Sequence, residues 1–168
     1  MLHSLIKSKT RLRLLIKFFL NIANKGYLNG LANEFGESTN SVRKELNNLS
    51  SAGYLEKFSE NNKVIYKANA SHPLFKIIQK IVKKHLGIEE ILESVLKRIG
   101  NVKKIMILGD YAEGIDSGHI EILIIGDDIS KDYLLEITPK IEKKIDRKVS
   151  FFISNSTLKQ KTLTIFEA

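Results

Sequence analysis

The sequence predicts an α+β chain of two small domains, and three observations lead there. In the first half, apolar residues recur at helical spacing in three successive segments and then switch to alternation in a short hairpin. In the second half, strand-like apolar runs alternate with a long helical pattern, the order that builds a small α/β unit with a mixed sheet. Charge divides with the pattern. Residues 1–86 hold 15 Lys+Arg against 5 Asp+Glu, a net of +10, while residues 87–168 hold 12 against 14, a net of −2.

In "SKTRLRLLIKFFLNIAN", Leu12, Leu15, Ile16, Phe19 and Ala23 share one helical face, and Arg11, Arg13 and Lys17 are expected on the remaining surface. After "GYL", a short helix runs from about Asn29 to Phe35 and ends at Gly36, where the missing Cβ lets the chain turn. A third helix starts at a Ser38 or Thr39 N-cap, places Val42, Leu46 and Leu49 at i, i+4 and i+7, and stops near Gly53. Val64, Tyr66 and Ala68 then alternate with Ile65 and Lys67, with turn formers in "SENN", so Tyr54 to Asn69 reads as a β-hairpin.

The segment "SHPLFKIIQKIVKKHLG" opens a fourth helix with Pro73 in its first turn. Leu74, Ile77, Ile78, Ile81, Val82 and Leu86 form a wide apolar stripe opposite Lys76, Lys80, Lys83 and Lys84, and Gly87 ends the helix. "IEEILESVLKRIG" is one more amphipathic helix before Gly100. The boundary falls between Ser71 and Gly87, giving domains 1–86 and 87–168. From Asn101 the order is strand "KKIMILG", a turn-rich loop, strand "HIEILIIGD", a helix over about Lys131 to Ile145, strand "KVSFFIS", and a tail open to helix.

Composition narrows the function classes. There is no cysteine, which excludes disulfides and thiolate metal sites and fits a reducing, cytoplasmic setting. At the N-terminus Lys17 interrupts the apolar run and no small-residue cleavage site follows, which argues against a signal peptide. No segment approaches the ~20 uncharged apolar residues of a membrane span, so a soluble chain with no membrane partner is expected.

The basic half points to double-stranded DNA. At about 100° per residue, Asn40, Lys44, Asn47 and Ser51 lie opposite the apolar stripe of the third helix, with Arg43 and Asn48 on the flanks. Asn bonds an adenine edge at two points, and Arg or Lys bonds N7 and O6 of guanine. Ser38, Thr39 and Ser41 stand at the helix N-terminus, where backbone N–H groups suit phosphate. Asn61, Asn62 and Lys63 occupy the hairpin tip, with Lys57 on its first strand, placed for the backbone or the minor groove. For any one of these residues, a solvated polar face is the competing account.

With "TRLRLLIKFFL", "LNGLANEFGESTNSVRKELNNLSSAGYLEK" and "NKVIYKAN" in this order, residues 8–86 resemble the winged helix-turn-helix regulators of the arsenic-repressor (ArsR) and multiple-antibiotic-resistance (MarR) type. The resemblance implies a homodimer that reads a two-fold-related site. Its seam would be the first helix or the Leu74 to Leu86 stripe, and packing against the second domain is an equal account of that stripe.

Residues 101–155 resemble the minimal nucleotidyltransferases of the DNA-polymerase-β superfamily, through Gly109, Ala112, Gly114 and the apolar strand Ile120 to Ile125. The family motif implies two strand carboxylates at i and i+2 that hold Mg²⁺, and His119 and Glu121 occupy those positions. Imidazole is a poor Mg²⁺ ligand, and Glu is one methylene longer than Asp. Asp110 replaces the phosphate-holding serine, and "KVSFFIS" lacks the third acid. The resemblance also implies a Ser/Thr-started helix in the tail.

The expected function is therefore a DNA-binding transcriptional regulator, not an enzyme, with no cofactor. Its nucleotidyltransferase-like domain serves dimerisation, or a ligand or protein partner. Three alternatives stand beside this: Mg²⁺-dependent nucleotide transfer, an antitoxin-like interaction module, and a mixed N/O metal cluster of His119, Glu121, Asp110 and Asp116. Asp146, Arg147 and Lys148 read as an active-site edge or as a charged turn before a strand.

Overall fold

The computed structural model describes residues 1–168 and divides into two compact units, Met1–His85 and Leu86–Ala168. Each unit has its own sheet, which makes the architecture α+β as the sequence predicts. No helix is long and apolar enough to cross a membrane.

In the first unit, a 3-10 turn at Leu2–Ser4 precedes α1 (Lys9–Leu20), β1 (Lys25–Gly26), α2 (Leu28–Phe35), α3 (Thr39–Ser51), β2 (Leu55–Glu60) and β3 (Lys63–Ala68). The starts of α1 and α3 follow capping chemistry. The Ser8 side chain accepts the Arg11 N–H, and Ser38 rather than Thr39 caps α3 by accepting the Ser41 N–H at 3.2 Å. Gly36 ends α2 in the left-handed region at φ 63°, the conformation for which glycine is suited. The hairpin closes on Asn61 and Asn62 at φ 50° and 61°, a two-residue loop of the kind that matches strand twist, and Asn tolerates it. The sheet order β1-β3-β2 includes β1, a pair of residues the sequence reading leaves as a connector. Lys25 and Gly26 become a strand only by pairing with Lys67 and Tyr66.

Two expectations for α1 need correction. Ala23 lies beyond the helix, and Lys17 is buried rather than on the surface. Leu14, Phe18 and Leu20 are fully buried together with Leu12, Ile16 and Phe19, so burial surrounds the helix instead of following one stripe.

Helix α4 (Phe75–Leu86) begins two residues after Pro73, which therefore stands ahead of the first turn rather than inside it. His72 Nδ1 accepts the Leu74 N–H at 3.1 Å in this entry turn. The expected wide stripe divides. Val82 and Leu86 are buried, while Leu74, Ile77 and Ile81 are exposed.

The second unit runs α5 (Ile88–Leu96), β4 (Asn101–Leu108), α6 (Gly109–Ala112), β5 (His119–Asp127), α7 (Lys131–Ile145), β6 (Lys148–Ser154) and β7 (Leu163–Glu167). The sheet order is β6-β5-β4-β7, with β5 and β6 parallel and the other pairs antiparallel, so the mixed sheet is present. Ile120, Ile122 and Ile124 alternate with His119, Glu121 and Leu123 along β5, which gives the sheet two different faces. Met106, Leu108 and Leu123 form a small buried cluster on one of them. Leu134, Ile137, Ile141 and Ile145 of α7 are buried, as are Ile88, Ile91 and Val95 of α5, at helical spacing.

The tail is not helical. Leu163–Glu167 pairs antiparallel with β4, whose free edge would otherwise leave backbone groups unpaired, and "LTIF" combines the branched and aromatic residues that suit a strand.

Candidate nucleic-acid interface

Helix α3 buries Val42, Leu46 and Leu49, and also Glu45. Ser38, Thr39, Asn40, Ser41, Arg43, Lys44, Asn47 and Asn48 are all exposed, so the polar face expected from helical periodicity lies open. Arg43 Nη1 donates to Asn40 Oδ1 at 3.2 Å, which holds an amide and a guanidinium together one turn apart. The Ser38 hydroxyl donates to Ser41 Oγ at 2.9 Å beside the helix N-terminus.

The charge balance of this face is set by α1. Glu45 receives Arg11 Nε at 2.8 Å, and Glu34 receives Lys17 Nζ at 2.8 Å. Glu37 accepts from both the Thr10 hydroxyl and the Arg13 guanidinium. The three carboxylates of α2, α3 and their connecting turn are thus neutralised by Arg11, Arg13 and Lys17, three of the four cations of α1. Arg43, Lys44 and Lys57 form no ion pair. Hence the exposed side of α3 presents positive charge with no acid of its own, although Glu45 sits in the middle of the helix. Sequence reasoning missed Glu45. Its position at i+3 from Val42 and i−4 from Leu49, on the buried stripe, was the available signal.

On the hairpin, Asn61, Asn62 and Lys63 are exposed at the tip. The turn geometry already accounts for both asparagines. Lys63 Nζ stands 4.1 Å from the centre of the Tyr27 ring, and Lys25 and Lys67 lie at 5.4 and 5.6 Å from that of Phe58. Ser38, Thr39, Asn40, Ser41, Arg43, Lys44 and Asn47 lie together on α3 and its N-cap, whereas the three tip residues form a second group on the β2–β3 turn.

In the second unit, His119 and Glu121 share a face of β5, as i and i+2 must. His119 Nε2 and Ser150 Oγ lie 2.7 Å apart in hydrogen-bond contact. The Glu121 carboxylate covers Gly109, where φ is +59° and a Cβ would collide with Glu121 Oε2. Asp110 is exposed on α6. Asp116 accepts Arg147 Nε at 2.9 Å and Arg147 Nη2 at 2.7 Å, and it also accepts the Tyr111 hydroxyl. The four residues considered for a mixed N/O cluster are not gathered, and no group of three His, Asp or Glu side chains is placed to hold a metal ion.

Of the two accounts of Arg147, the geometry is that of a structural clamp. It ties the loop before β5 to the α7–β6 turn, and Tyr111, unmarked in the sequence reading, completes the clamp by accepting the Gly118 N–H at 3.1 Å. Burial first, then the hydrogen bond to Asp116 and its charge, holds the Tyr111 phenol far above its ordinary range. The hydrogen bond to Asp116 also raises the Arg147 guanidinium. Glu142 accepts the Val149 N–H at 2.9 Å, and this bond is the main reason its carboxyl lies below the usual range.

No protein-family model matches the chain, and no curated protein matches it in sequence. Among solved structures, the chain is similar to the crystal structure of Sso10a-2, a DNA-binding protein from Sulfolobus solfataricus. The identity is 20 % and the TM-score 0.36, over 49 % of this chain and 84 % of that one, a likeness too slight to carry a shared fold.

Proposed function

We propose that the chain is a DNA-binding transcriptional regulator that reads duplex DNA with the exposed face of α3 and acts as a homodimer. The observation that carries this reading is the inward turn of Glu34, Glu37 and Glu45 onto α1, which leaves Asn40, Arg43, Lys44 and Asn47 as an acid-free amide and cation surface. Such a surface matches the donor and acceptor edges of the major groove. Ser38, Thr39 and Ser41 take phosphate at the helix N-terminus, and Asn61, Asn62 and Lys63 follow the backbone or the minor groove. The second unit, with its likeness to the nucleotidyltransferases, is a non-catalytic module. His119 and Ser150 are engaged with each other, and Asp116 is engaged with Arg147.

Selection of bound duplexes from a random pool at physiological salt tests the reading. A two-fold-symmetric consensus is expected, and recovery of sequences no better bound than the starting pool would refute it. Incubation with labelled ATP or GTP and Mg²⁺ is expected to transfer no label to protein. Transfer that disappears in Glu121→Gln would restore the enzyme account.

A further inference from the structure

The sheet of the second unit ends on β6, so one edge of that strand has no neighbour. Lys148 N–H donates to Gly118 O at 2.8 Å, and Lys148 stands opposite His119 in the parallel register. Along a strand, successive residues direct their N–H and C=O alternately to the two sides. Lys148, Ser150, Phe152 and Ser154 therefore bond β5, while Val149, Phe151 and Ile153 turn their backbone groups outward. Glu142 takes the Val149 N–H. The N–H and C=O of Phe151 and Ile153 on that side have no partner.

Proteins usually protect such an edge with lysine, proline, a bulge or a very short strand. Between Val149 and Ile153 the run "VSFFI" carries none of these, and Phe152 is 45 % exposed. The opposite edge strand, β7, is shorter, and its pairing with β4 contains a register shift. Charge also distinguishes the two halves. Residues 1–86 at +10 repel a copy of themselves, whereas residues 87–168 at −2 do so only weakly.

We propose that β6 pairs antiparallel with β6 of a second copy of this chain, about a two-fold axis at Phe151, joining the two four-stranded sheets into one. A second copy fits because the strand is complementary to itself in that register. Phe151 meets Phe151, Val149 meets Ile153, Ser150 meets Phe152 and Lys148 meets Ser154, with no like charges opposed. The outward backbone groups coincide in the same register. Each Phe151 N–H reaches the C=O of the other Phe151, and each Ile153 N–H reaches the opposing Val149 C=O. All four bonds form while Glu142 keeps the Val149 N–H. The proposal names the seam of the dimer proposed above and is separable from DNA recognition. A β6-paired dimer that binds no duplex would keep the seam and remove the DNA reading, and a monomeric duplex binder would do the reverse.

The chain has no cysteine, so an introduced thiol reports without background. At the two-fold, paired Cα atoms lie about 5.5 Å apart, within disulfide reach, whereas two copies of residue 154 would lie about 20 Å apart. Full-length Phe151→Cys is expected to form a covalent dimer on mild oxidation, and Ser154→Cys is not. Ile153→Pro removes an outward N–H without touching the β5 ladder, and Phe152→Lys places a charge on the exposed edge. In sedimentation equilibrium each should raise the dimer dissociation constant about tenfold or more. A wild-type chain that stays monomeric up to its solubility limit overturns the proposal. So does a dimer that cross-links through Ile77→Cys of α4 but not through Phe151→Cys.

Discussion

Lys44→Ala is the sharpest probe of the DNA reading, because the structure says which cations are available to phosphate and which are not. Arg43, Lys44, Lys57 and Lys63 are exposed and form no ion pair, while Arg11, Arg13 and Lys17 are each held by a carboxylate. If these four cations of α3 and the hairpin neutralise one phosphate each, at about −0.9 per phosphate, log K against log salt falls with a slope of about −3.6 per protomer and about −7 per dimer. Between 50 and 200 mM salt a dimer then loses roughly 10⁴-fold in affinity. Lys44→Ala should make the slope shallower by about 0.9 per protomer, whereas Arg13→Ala should leave it unchanged because that guanidinium already faces Glu37. Fluorescence anisotropy with one fixed duplex over a salt series measures both variants. Equal changes of slope for the two would refute the division of α1 and α3 cations, and a wild-type slope of zero would refute DNA binding.

Three further outcomes concern stability. Tyr111→Phe removes the hydroxyl that joins Asp116 to the Gly118 N–H and should cost about 1–3 kcal/mol in urea unfolding, and an unchanged midpoint would show that the clamp is idle. Gly109→Ala meets both a positive φ and Glu121 Oε2, so a loss of about 1–3 kcal/mol is expected. Glu121→Ala should recover the steric part, and strict additivity of the two would exclude the contact. Glu142 has a depressed folded pKa, so its contribution is present above the usual carboxyl value of 4.5 and is lost as pH falls through the lower folded value. Glu142→Gln should flatten the acid limb of a stability-against-pH curve, and an identical limb would remove Glu142 from that role.

Much of the fold was legible because it rests on local chemistry. The α3 start at Ser38 or Thr39, the Gly36 stop, the β2–β3 hairpin and the limits of β5, α7 and β6 all follow from periodicity, capping and turn preference, which act within a few residues. The exposed face of α3 was legible for the same reason. Helical geometry alone places Asn40, Lys44 and Asn47 opposite Val42, Leu46 and Leu49.

What required tertiary structure was every choice between distant partners. Lys25 and Gly26 are a strand only because β3 lies beside them, and the tail is a strand because β4 offers it an edge. Arg11, Arg13 and Lys17 looked like surface decoration, yet they turn to Glu45, Glu37 and Glu34, residues 17 to 34 positions away in the chain. Asp116 and Arg147, 31 residues apart, meet as a clamp. The sequence alone determined the charge division, the order of elements and the polar side of α3, since composition and local spacing are enough for these. The tertiary structure decided which charges remain exposed to a partner, because pairing between remote groups is a property of the packed chain.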